Sequence, residues 1–456
     1  METPLITFLR LEKEKGLYKF KIGPIVLWNI FRVDYRYRFV SDVTGVEQRT
    51  NMRVEKRKRS QMLKYNIYSL CRLTKFILAR KSIENVIIPF GRLQKQDGIF
   101  YDKFTDPVIS ASDLKNRCFI FQPPIIEDYH NKRRHEELFL PLDILHSLFR
   151  VLYPFYFLNH WLSGNYKEID KLFHAASQIV MMSEKEKYLL HRRYLNLVIK
   201  ADICSLLFKY FRVKRLFGIA RNEFRFEIAA AHKCGIPVYE FQHGVTLGET
   251  EYYSGPRCDY IDPDYFLAFG SLWNGTQFGI SPEKIINIGW AYKDEAKPTT
   301  QKVIPNSVLF ISTPAFTMEI LKTASELSIA NPGYEFYIRC HPLEKYSDEQ
   351  LAIVDKYKNL HMADNSVDSR IALDEYEYVI GENSSVVYEA QSLGKKVARI
   401  CYNGIESNRL SETENDGFYY LFSSSDFLKF ISNNSNTASV EAYSDFKRDF
   451  LSSLPE

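Results

Sequence analysis

The sequence is poor in the features that identify several large protein classes. It contains none of the patterns G-x-x-x-x-G-K-[ST], G-x-G-x-x-G, H-E-x-x-H and G-x-S-x-G, which argues against simple P-loop, dinucleotide-binding, zincin and hydrolase interpretations. Its seven cysteines are scattered without a C-x-x-C pair, which argues against a zinc site or a disulfide framework and is typical of a reducing cytosol. The net charge is only +4, so the charge balance predicts no nucleic-acid partner.

Long hydrophobic runs are also lacking. Residues 22–31 are too short to span a bilayer, and the N-terminus has no adequate apolar core for a secretory signal. Residues 138–162 are rich in Leu, Phe and Tyr but include Asp143 and Arg150, so we expect a buried or interfacial helix. The basic residues 56–59 fit a solvated helix face or attraction to an anionic leaflet. We expect a cytoplasmic protein, with peripheral contact at the inner face of the membrane as a further prediction.

Length and composition indicate a folded protein of two domains. The 456 residues exceed one ordinary core, and 45% apolar with 25% charged residues is normal for a globular protein. The polar, proline-containing residues 293–306 are the best linker candidate. We therefore predict an N-terminal domain at residues 1–295 and a C-terminal domain at residues 296–456, with the last helix returning to the first domain as an open alternative.

Short apolar runs alternate with helical patterns from residue 215 onwards. The predicted strands span residues 85–90, 215–220, 236–241, 265–269, 284–288, 307–311, 334–338, 359–362, 376–380 and 396–400. The predicted helices span residues 222–233, 316–330 and 384–393, after a mostly helical stretch at 166–210. This alternation predicts parallel sheets with right-handed crossovers in two Rossmann-like halves. Ligands bind such sheets at the carboxyl ends of the strands.

Polar residues stand where one predicted strand of the second half turns into a helix. Asn383 precedes Ser384 and Ser385, and two hydroxyls exceed what one helix cap needs. A helix N-terminus offers unpaired N–H groups and the positive end of the helix dipole, which suit a phosphate or diphosphate. Glu389, one turn into the helix, is a candidate for holding a sugar or ribose hydroxyl. A plain helix cap is the alternative.

A histidine ends the predicted strand at residues 334–338. Arg339 lies two residues before His341, so both side chains share one face of the strand. Pro342 restrains the backbone of His341. An arginine and a histidine at one strand tip suit a diphosphate, which points to a nucleotide-activated donor and a transferase.

The first half has its own histidine at a strand end. Gln242, His243 and Gly244 follow the strand at residues 236–241, and Gly244 leaves room for a ligand near the backbone. His243 is a candidate general base for an acceptor hydroxyl. Glu249 and Glu251 are rival bases that spacing does not exclude, and a histidine bonded to its own loop is the structural alternative.

Metal binding is not predicted. Asp262 and Asp264 form the D-x-D spacing that binds a metal–nucleotide in another class of glycosyltransferases. That motif follows a strand, whereas here it precedes the strand at residues 265–269.

The order of these landmarks resembles that of bacterial surface-polysaccharide transferases of the GT-B fold. The resemblance covers roughly residues 215–400 and rests on short motifs in a fixed order. It is carried by Gln242-His243-Gly244, Asp264 to Gly270, Ile288-Gly289, Arg339 to Pro342, and Asn383-Ser384-Ser385 with Glu389 and Gly394-Lys395. The family includes CDP-glycerol glycerophosphotransferases of teichoic acid synthesis, related capsule polymerases, and sialyl- and Kdo-transferases with a His-Pro motif.

The resemblance implies an α/β GT-B fold, two Rossmann-like domains with a cleft between them, and assigns roles to individual residues. His341 would contact the donor phosphate and stabilise the leaving nucleotide, and Ser384 and Ser385 would bind the same phosphate. Glu389 would hold the ribose or sugar, and His243 would be the base on the acceptor side. The C-terminal domain would bind a nucleotide-activated sugar, of CMP or UDP type, and the N-terminal domain a glycan or lipid-linked glycan acceptor. No cofactor beyond the substrate is expected.

Two departures favour sugar transfer over glycerol phosphate transfer. The glycerophosphotransferases usually have Asp before the serine pair, where this chain has Glu382 and Asn383, and Trp before His-Gly, where it has Gln242. A CDP-polyol phosphotransferase stays the nearest alternative. A nucleotide-sugar 2-epimerase would need a Gly-Gly turn after the serine, where Ser385 and Val386 stand. An inactive subunit of an assembly complex is the non-enzymatic alternative.

Overall fold

The computed structural model describes most of the 456 residues. It leaves undescribed residues 1–3, 45–58, 80–82, 92, 97, 124–132, 247–252, 254, 276–278, 296–301, 314–315, 342–343, 383, 402–417, 434–440 and 456. The basic residues 56–58, the proline of the His-Pro motif, Asn383, Glu249 and Glu251 therefore lie outside the described residues.

The first half of the chain is built on a seven-stranded parallel sheet. In chain order, the strands and small hairpins of this half are β1 (Lys21–Ile22), β2 (Ile25–Val26), β3 (Asn85–Ile88), β4 (Gln94–Gln96), β5 (Ile99–Tyr101), β6 (Cys118–Gln122), β7 (Phe139–Pro141), β8 (Arg215–Ile219), β9 (Val238–Phe241), β10 (Tyr265–Ala268) and β11 (Ile285–Asn287). The sheet order is β11-β10-β9-β8-β3-β6-β7, and every neighbouring pair is parallel. The order reverses between β3 and β8.

Helices cover this sheet. They are α1 (Pro4–Glu14), α2 (Leu27–Thr44), α3 (Arg59–Leu78), α4 (Thr105–Ala111), α5 (Asp143–Leu162), α6 (Tyr166–Ala176), α7 (Glu184–Phe211), α8 (Arg225–Lys233) and α9 (Tyr292–Glu295). The central strands are buried along their whole length because helices lie on both faces. α7 begins at a capping box in which Ser183 accepts from the backbone N–H of Glu186 and the Glu186 side chain accepts from that of Ser183.

The second half is a six-stranded parallel sheet. Its strands are β12 (Ile304–Ile311), β13 (Glu335–Arg339), β14 (Leu360–Met362), β15 (Tyr376–Gly381), β16 (Lys396–Ile400) and β17 (Tyr419–Leu421), and its helices are α10 (Thr317–Ala330), α11 (Asp348–Asp355), α12 (Ser369–Ala372), α13 (Ser385–Ser392) and α14 (Phe427–Ser432). The order β14-β13-β12-β15-β16-β17 reverses between β12 and β15. Numbered by their order along the chain, the first six strands of each sheet therefore lie in the 3-2-1-4-5-6 order of a Rossmann fold. The expected α/β fold with two Rossmann-like domains of the GT-B kind is confirmed.

The C-terminal segment crosses back to the first sheet. The N–H groups of Leu272, Trp290 and Ser444 and the carbonyls of Glu441, Ser444 and Phe269 link it to the loops after β10 and β11. Gly289 has φ +80°, and a Cβ there would lie 2.1 Å from the carbonyl oxygen of Asp445. Only glycine permits this approach, so the sequence after β11 is suited to the returning chain.

An apolar cluster joins the two sheets. Trp273 of the first half packs against Tyr388 of the second, with ring centroids 5.3 Å apart, and residues of β10 and of β12 belong to the same buried cluster. Tyr101 and Tyr292 of the first half belong to the same cluster, and their hydroxyls lie 3.3 Å apart. The two halves are therefore held by packed side chains as well as by the connecting chain.

Two of the stretches that differ from the sequence prediction are residues 138–162 and 293–306; β6 (Cys118–Gln122) was not predicted at all. Residues 138–162 do not form one helix, because β7 (Phe139–Pro141) joins the sheet edge before α5 begins at Asp143. The predicted linker at residues 293–306 is partly structured, since α9 extends to Glu295 and β12 starts at Ile304. Its middle lies outside the described residues.

The outer face of α5 is apolar and exposed. Val151, Phe155, Leu158, Trp161 and Leu162 are each more than half exposed. Across the described parts of the chain, no helix combines the length and the apolar character that crossing a membrane requires. Contact of this face with a membrane surface stays a prediction.

Candidate active site

The strand reversal of the second sheet places the serine turn at the usual ligand crevice of such a fold. β15 ends at Gly381, next to the carboxyl end of β12, and α13 starts at Ser385. Ser384 is the N-cap, and its Oγ accepts from the N–H of Val386 at 3.4 Å. Both serines are partly exposed. Open sheets bind ligands outside the carboxyl ends of the strands where the order reverses, so the position suits an anion.

A glutamate that the sequence analysis missed holds the His341 turn. The backbone N–H of His341 donates to Glu344 Oε2 at 2.7 Å. Glu344 Oε1 accepts from Ser312 Oγ at 2.9 Å, and also from Thr317 Oγ1. Ser312 follows β12 directly, so Glu344 ties the ends of β12 and β13 together. Strands lie about 4.8 Å apart, which places the β13 and β15 tips roughly 10 Å apart, a span that a nucleotide diphosphate covers.

Arg339 is engaged with the protein itself. Its guanidinium donates to the carbonyl oxygen of Asp364 at 2.9 Å and to that of Val367. Burial lowers the pKa of Arg339, and Asp368 opposes this. The residue therefore fixes the loop before α12, and its predicted contact with a donor phosphate stays a prediction.

Glu389 lies almost wholly buried where the two halves meet. Its side chain is 3% exposed. Burial raises the pKa of this carboxyl, Lys103 of the first half lowers it, and Asp368 raises it. Asp368 also raises the pKa of the Tyr292 hydroxyl. Lys103 and Asp368 thus belong to the surroundings of Glu389, and no motif in the sequence pointed to either.

His243 sits in an aromatic setting at the carboxyl end of β9. The centroids of Phe90, Phe104 and Tyr253 lie 5.6, 6.4 and 6.4 Å from that of its imidazole. The Tyr253 hydroxyl is 3.3 Å from Nδ1. A hydrogen bond at Nδ1 helps to orient the imidazole ring.

Asp102 organises this setting and was missed as well. Its carboxylate accepts from the backbone N–H groups of Phe90 at 2.8 Å and Phe104 at 3.0 Å, and from Thr105 Oγ1 at 2.8 Å. One buried carboxylate therefore fixes two of the rings beside His243. The Phe104 ring lies edge-on to His243, and the charge of its neighbour Lys103 lowers the pKa of Glu389.

The other acceptor-side candidates divide into two kinds. Gln242 is fully buried; its amide donates to the carbonyl oxygen of Gly244 at 2.8 Å and accepts from the N–H of Phe269 at 2.8 Å. It therefore locks the ends of β9 and β10 together. Gly244 borders open space, because a Cβ there would have no neighbour within 4 Å.

The D-x-D residues serve the first half internally. Asp262 accepts from the N–H of Cys258 at 2.7 Å. Asp264 pairs with His232 at 3.0 Å and Arg257 at 3.1 Å. Within the described ranges no three His, Cys, Asp or Glu side chains converge as metal ligands would.

Comparisons with known proteins give structural likenesses only. No family model matches the chain, and no curated protein matches it. Among solved structures, it is similar to UDP-GlcNAc 2-epimerase from Neisseria meningitidis bound to UDP-GlcNAc, at 11% identity over 78% of this chain and 94% of that chain, with a TM-score of 0.46.

Two further structures show the range of these likenesses. The UDP-GlcNAc 2-epimerase from Methanocaldococcus jannaschii is 10% identical over 80% of this chain and 96% of that chain, with a TM-score of 0.47. The wall teichoic acid polymerase TagF, soaked with CDPG, is 11% identical over 83% and 89%, with a TM-score of 0.37. None of these likenesses distinguishes a transferase from an epimerase in this chain.

Proposed function

We propose that this chain is a glycosyltransferase that moves a sugar from a nucleotide-activated donor to a growing bacterial surface glycan. The observation that carries the proposal is the position of the Ser384 turn. It lies at the strand reversal of the second sheet, with His341 at a nearby strand tip, while His243 stands at the carboxyl edge of the first sheet. A donor in one crevice and an acceptor beside the other would meet between the halves.

The proposed reaction is a metal-independent, inverting displacement. His243 takes the proton of an acceptor hydroxyl, and the oxygen forms a bond to the anomeric carbon of the sugar. The bond between that carbon and the donor phosphate oxygen breaks, and the nucleotide leaves with the electron pair. His341 and the start of α13 stabilise this charge; each well-placed donor of this kind contributes on the order of 3 kcal/mol to the transition state.

A CDP-polyol phosphotransferase is the second candidate, supported by the same crevice. In that reaction the acceptor hydroxyl would attack the phosphorus atom instead of the anomeric carbon, and CMP would leave. A 2-epimerase would rearrange the sugar while it stays on the nucleotide and needs no acceptor. The products therefore separate the three activities.

A thermal-unfolding screen with CMP, CDP, UDP and GDP tests the donor site first. We expect one nucleotide to raise the unfolding temperature, and the absence of a shift with all four would reject the donor site. NMR of the matching nucleotide-sugar then distinguishes the reactions. Nucleotide release that depends on an added glycan supports transfer, whereas a new nucleotide-sugar without an acceptor contradicts it.

A further inference from the structure

A second crevice is lined by α2, by the segment from the loop after β8 into α8, and by residues between β9 and β10, and arginines dominate its charged groups. About 330 Å³ of unfilled space, part of it open solvent, lies between its lining residues. Four guanidinium groups and one carboxylate line it, together with uncharged residues such as Asn29. The charged residues are Arg32, Arg221, Arg225, Arg257 and Asp262. α2 covers one side, and the loop between β8 and α8 forms the other. Arginines are thus the main charged groups of the lining.

Carboxylates outside the lining hold three of these arginines in place. Glu12 accepts from Arg32 at 2.9 and 3.0 Å. Glu240 pairs with Arg221 at 2.7 Å, and Arg221 is only 3% exposed. Arg257 is held by Asp264 at 3.1 Å. Their positions are therefore fixed before any ligand arrives, which lowers the ordering cost of binding.

Arg225 differs from the other three. It donates to the carbonyl oxygen of Ile30 at 2.7 Å and to the amide oxygen of Asn222. Among the described residues, no carboxylate forms an ion pair with it. Burial lowers the pKa of Arg225 to about 10, and Asp262 and Asp34 oppose this shift only in part. A desolvated guanidinium without an ion-pair partner is stabilised by an anion.

Two amides add hydrogen-bonding groups to the crevice. Asn29 is 7% exposed, and its Nδ2 donates to the carbonyl oxygen of Pro256 at 3.1 Å. Asn29 Oδ1 and Asn222 Nδ2 are buried without a hydrogen-bond partner among the described residues. Buried polar atoms are normally satisfied, so Asn222 Nδ2 is suited to donate to an oxyanion and Asn29 Oδ1 to accept from a hydroxyl of the same ligand.

Tyr253 connects the crevice to the proposed base. The Arg221 guanidinium lies 4.9 Å from the centroid of the Tyr253 ring, and the Tyr253 hydroxyl lies 3.3 Å from Nδ1 of His243. A group bound among the arginines would therefore be one tyrosine away from His243.

We propose that this crevice binds an oxyanion, phosphate or carboxylate, carried by the acceptor next to the hydroxyl that reacts. Its assignment to the acceptor rests on the proposed function, whereas binding of the oxyanion does not. The arginines select an anionic acceptor and place it, and His243 acts on its hydroxyl.

The test uses glycerol 3-phosphate and glucuronate as probes, with glycerol and glucose as matched neutral controls. Hydrogen exchange of the full chain should show protection of residues 221–225 and 255–257 by at least one anion and by neither control. Protection by glycerol 3-phosphate alone indicates a phosphate-bearing acceptor, and protection by glucuronate alone a carboxylate-bearing one. No protection there by either anion, or protection confined to residues 384–392, would overturn the proposal.

Variants separate binding from folding. Arg225→Gln should lower the affinity for the anion about tenfold or more, and Arg225→Lys should restore part of that affinity. Asn29→Asp places a carboxylate in the crevice without removing any arginine, so it should abolish anion binding in a folded protein. Undiminished anion affinity in folded Asn29→Asp would reject the site. His341→Ala should leave anion protection at residues 221–225 intact, so failure of the donor site and failure of this crevice are distinguishable.

Discussion

The two sheets share one topology but differ in the chemistry of their crevices. At the reversal of the second sheet, the groups on offer are backbone N–H groups of α13, the hydroxyls of Ser384 and Ser385, and the nearby His341. At the crevice of the first, they are arginine side chains, three of which are paired with carboxylates. Backbone donors bind close to the sheet and suit a diphosphate, whereas side chains reach across a wider opening. The same fold thus offers two chemically different candidate anion sites.

The largest expected effect separates catalysis from binding. His243→Ala should lower the transfer rate about 10²–10⁴-fold, because it removes the general base, and should leave nucleotide affinity unchanged. Steady-state kinetics and calorimetry on one preparation measure both quantities. Normal turnover in this variant would exclude His243 as the base.

The next largest effect concerns the close backbone contact at Gly289 in the first half. Gly289→Ala should lower the free energy of unfolding by about 2 kcal/mol or more, since its Cβ would collide with the Asp445 carbonyl at a left-handed φ. Gly333→Ala is the matched control in the second half, where a Cβ has no neighbour within 4 Å, and should change stability by less than about 0.5 kcal/mol. Equal denaturation midpoints for the two variants would argue against a tightly docked C-terminal segment.

The buried carboxyl groups of Glu227 and Glu389 allow a test of how stability depends on pH. Burial raises the pKa of Glu227, on α8, from 4.5 to about 8. The folded state therefore keeps a proton that the unfolded state releases, and stability falls as the pH rises from about 4.5 to 8. Lys200 does not mask this slope, because its lowered pKa, about 8, affects stability at higher pH.

Glu227→Gln should flatten this part of the pH–stability curve. Denaturant titrations at intervals across the window measure it. Glu389→Gln is the counterpart in the second half, where burial also raises the carboxyl pKa, and it should additionally alter donor binding. An unchanged slope in Glu227→Gln would show that Glu227 does not hold its proton in the folded protein.

The smallest expected effect concerns the cap of α13. Ser384→Ala should cost about 1 kcal/mol of stability, and Ser384→Gly only a few tenths. Both variants remove the hydroxyl proposed to bind phosphate, so both should lower the affinity for the nucleotide equally. If only the alanine variant lost affinity, the serine would act through the helix cap alone.

The sequence predicted the strands of residues 215–400 well because each is a short apolar run that ends at a glycine or polar turn. β9, β10, β15 and β16 lie within two residues of their expected bounds. β7 was not predicted, because its three residues are too few to show a periodicity and they merge with the apolar pattern of α5. In the site, His243, Ser384 and Ser385 follow strands in the chain and were recognisable.

Other site residues could not be found that way. Asp102 and Glu344 act through hydrogen bonds to the backbone of loops, and Lys103 meets Glu389 only because the two sheets pack together. The arginine crevice combines α2 with the loop before α8, nearly 190 residues apart in the chain. No local pattern encodes such distant neighbours.

The division of labour between the crevices is tested most directly by calorimetry with the nucleotide that stabilises the protein. The affinity should fall in His341→Ala, because that variant removes a donor to the phosphate, and should stay unchanged in Arg225→Gln. The reverse pattern would contradict the account: nucleotide binding lost in Arg225→Gln and retained in His341→Ala.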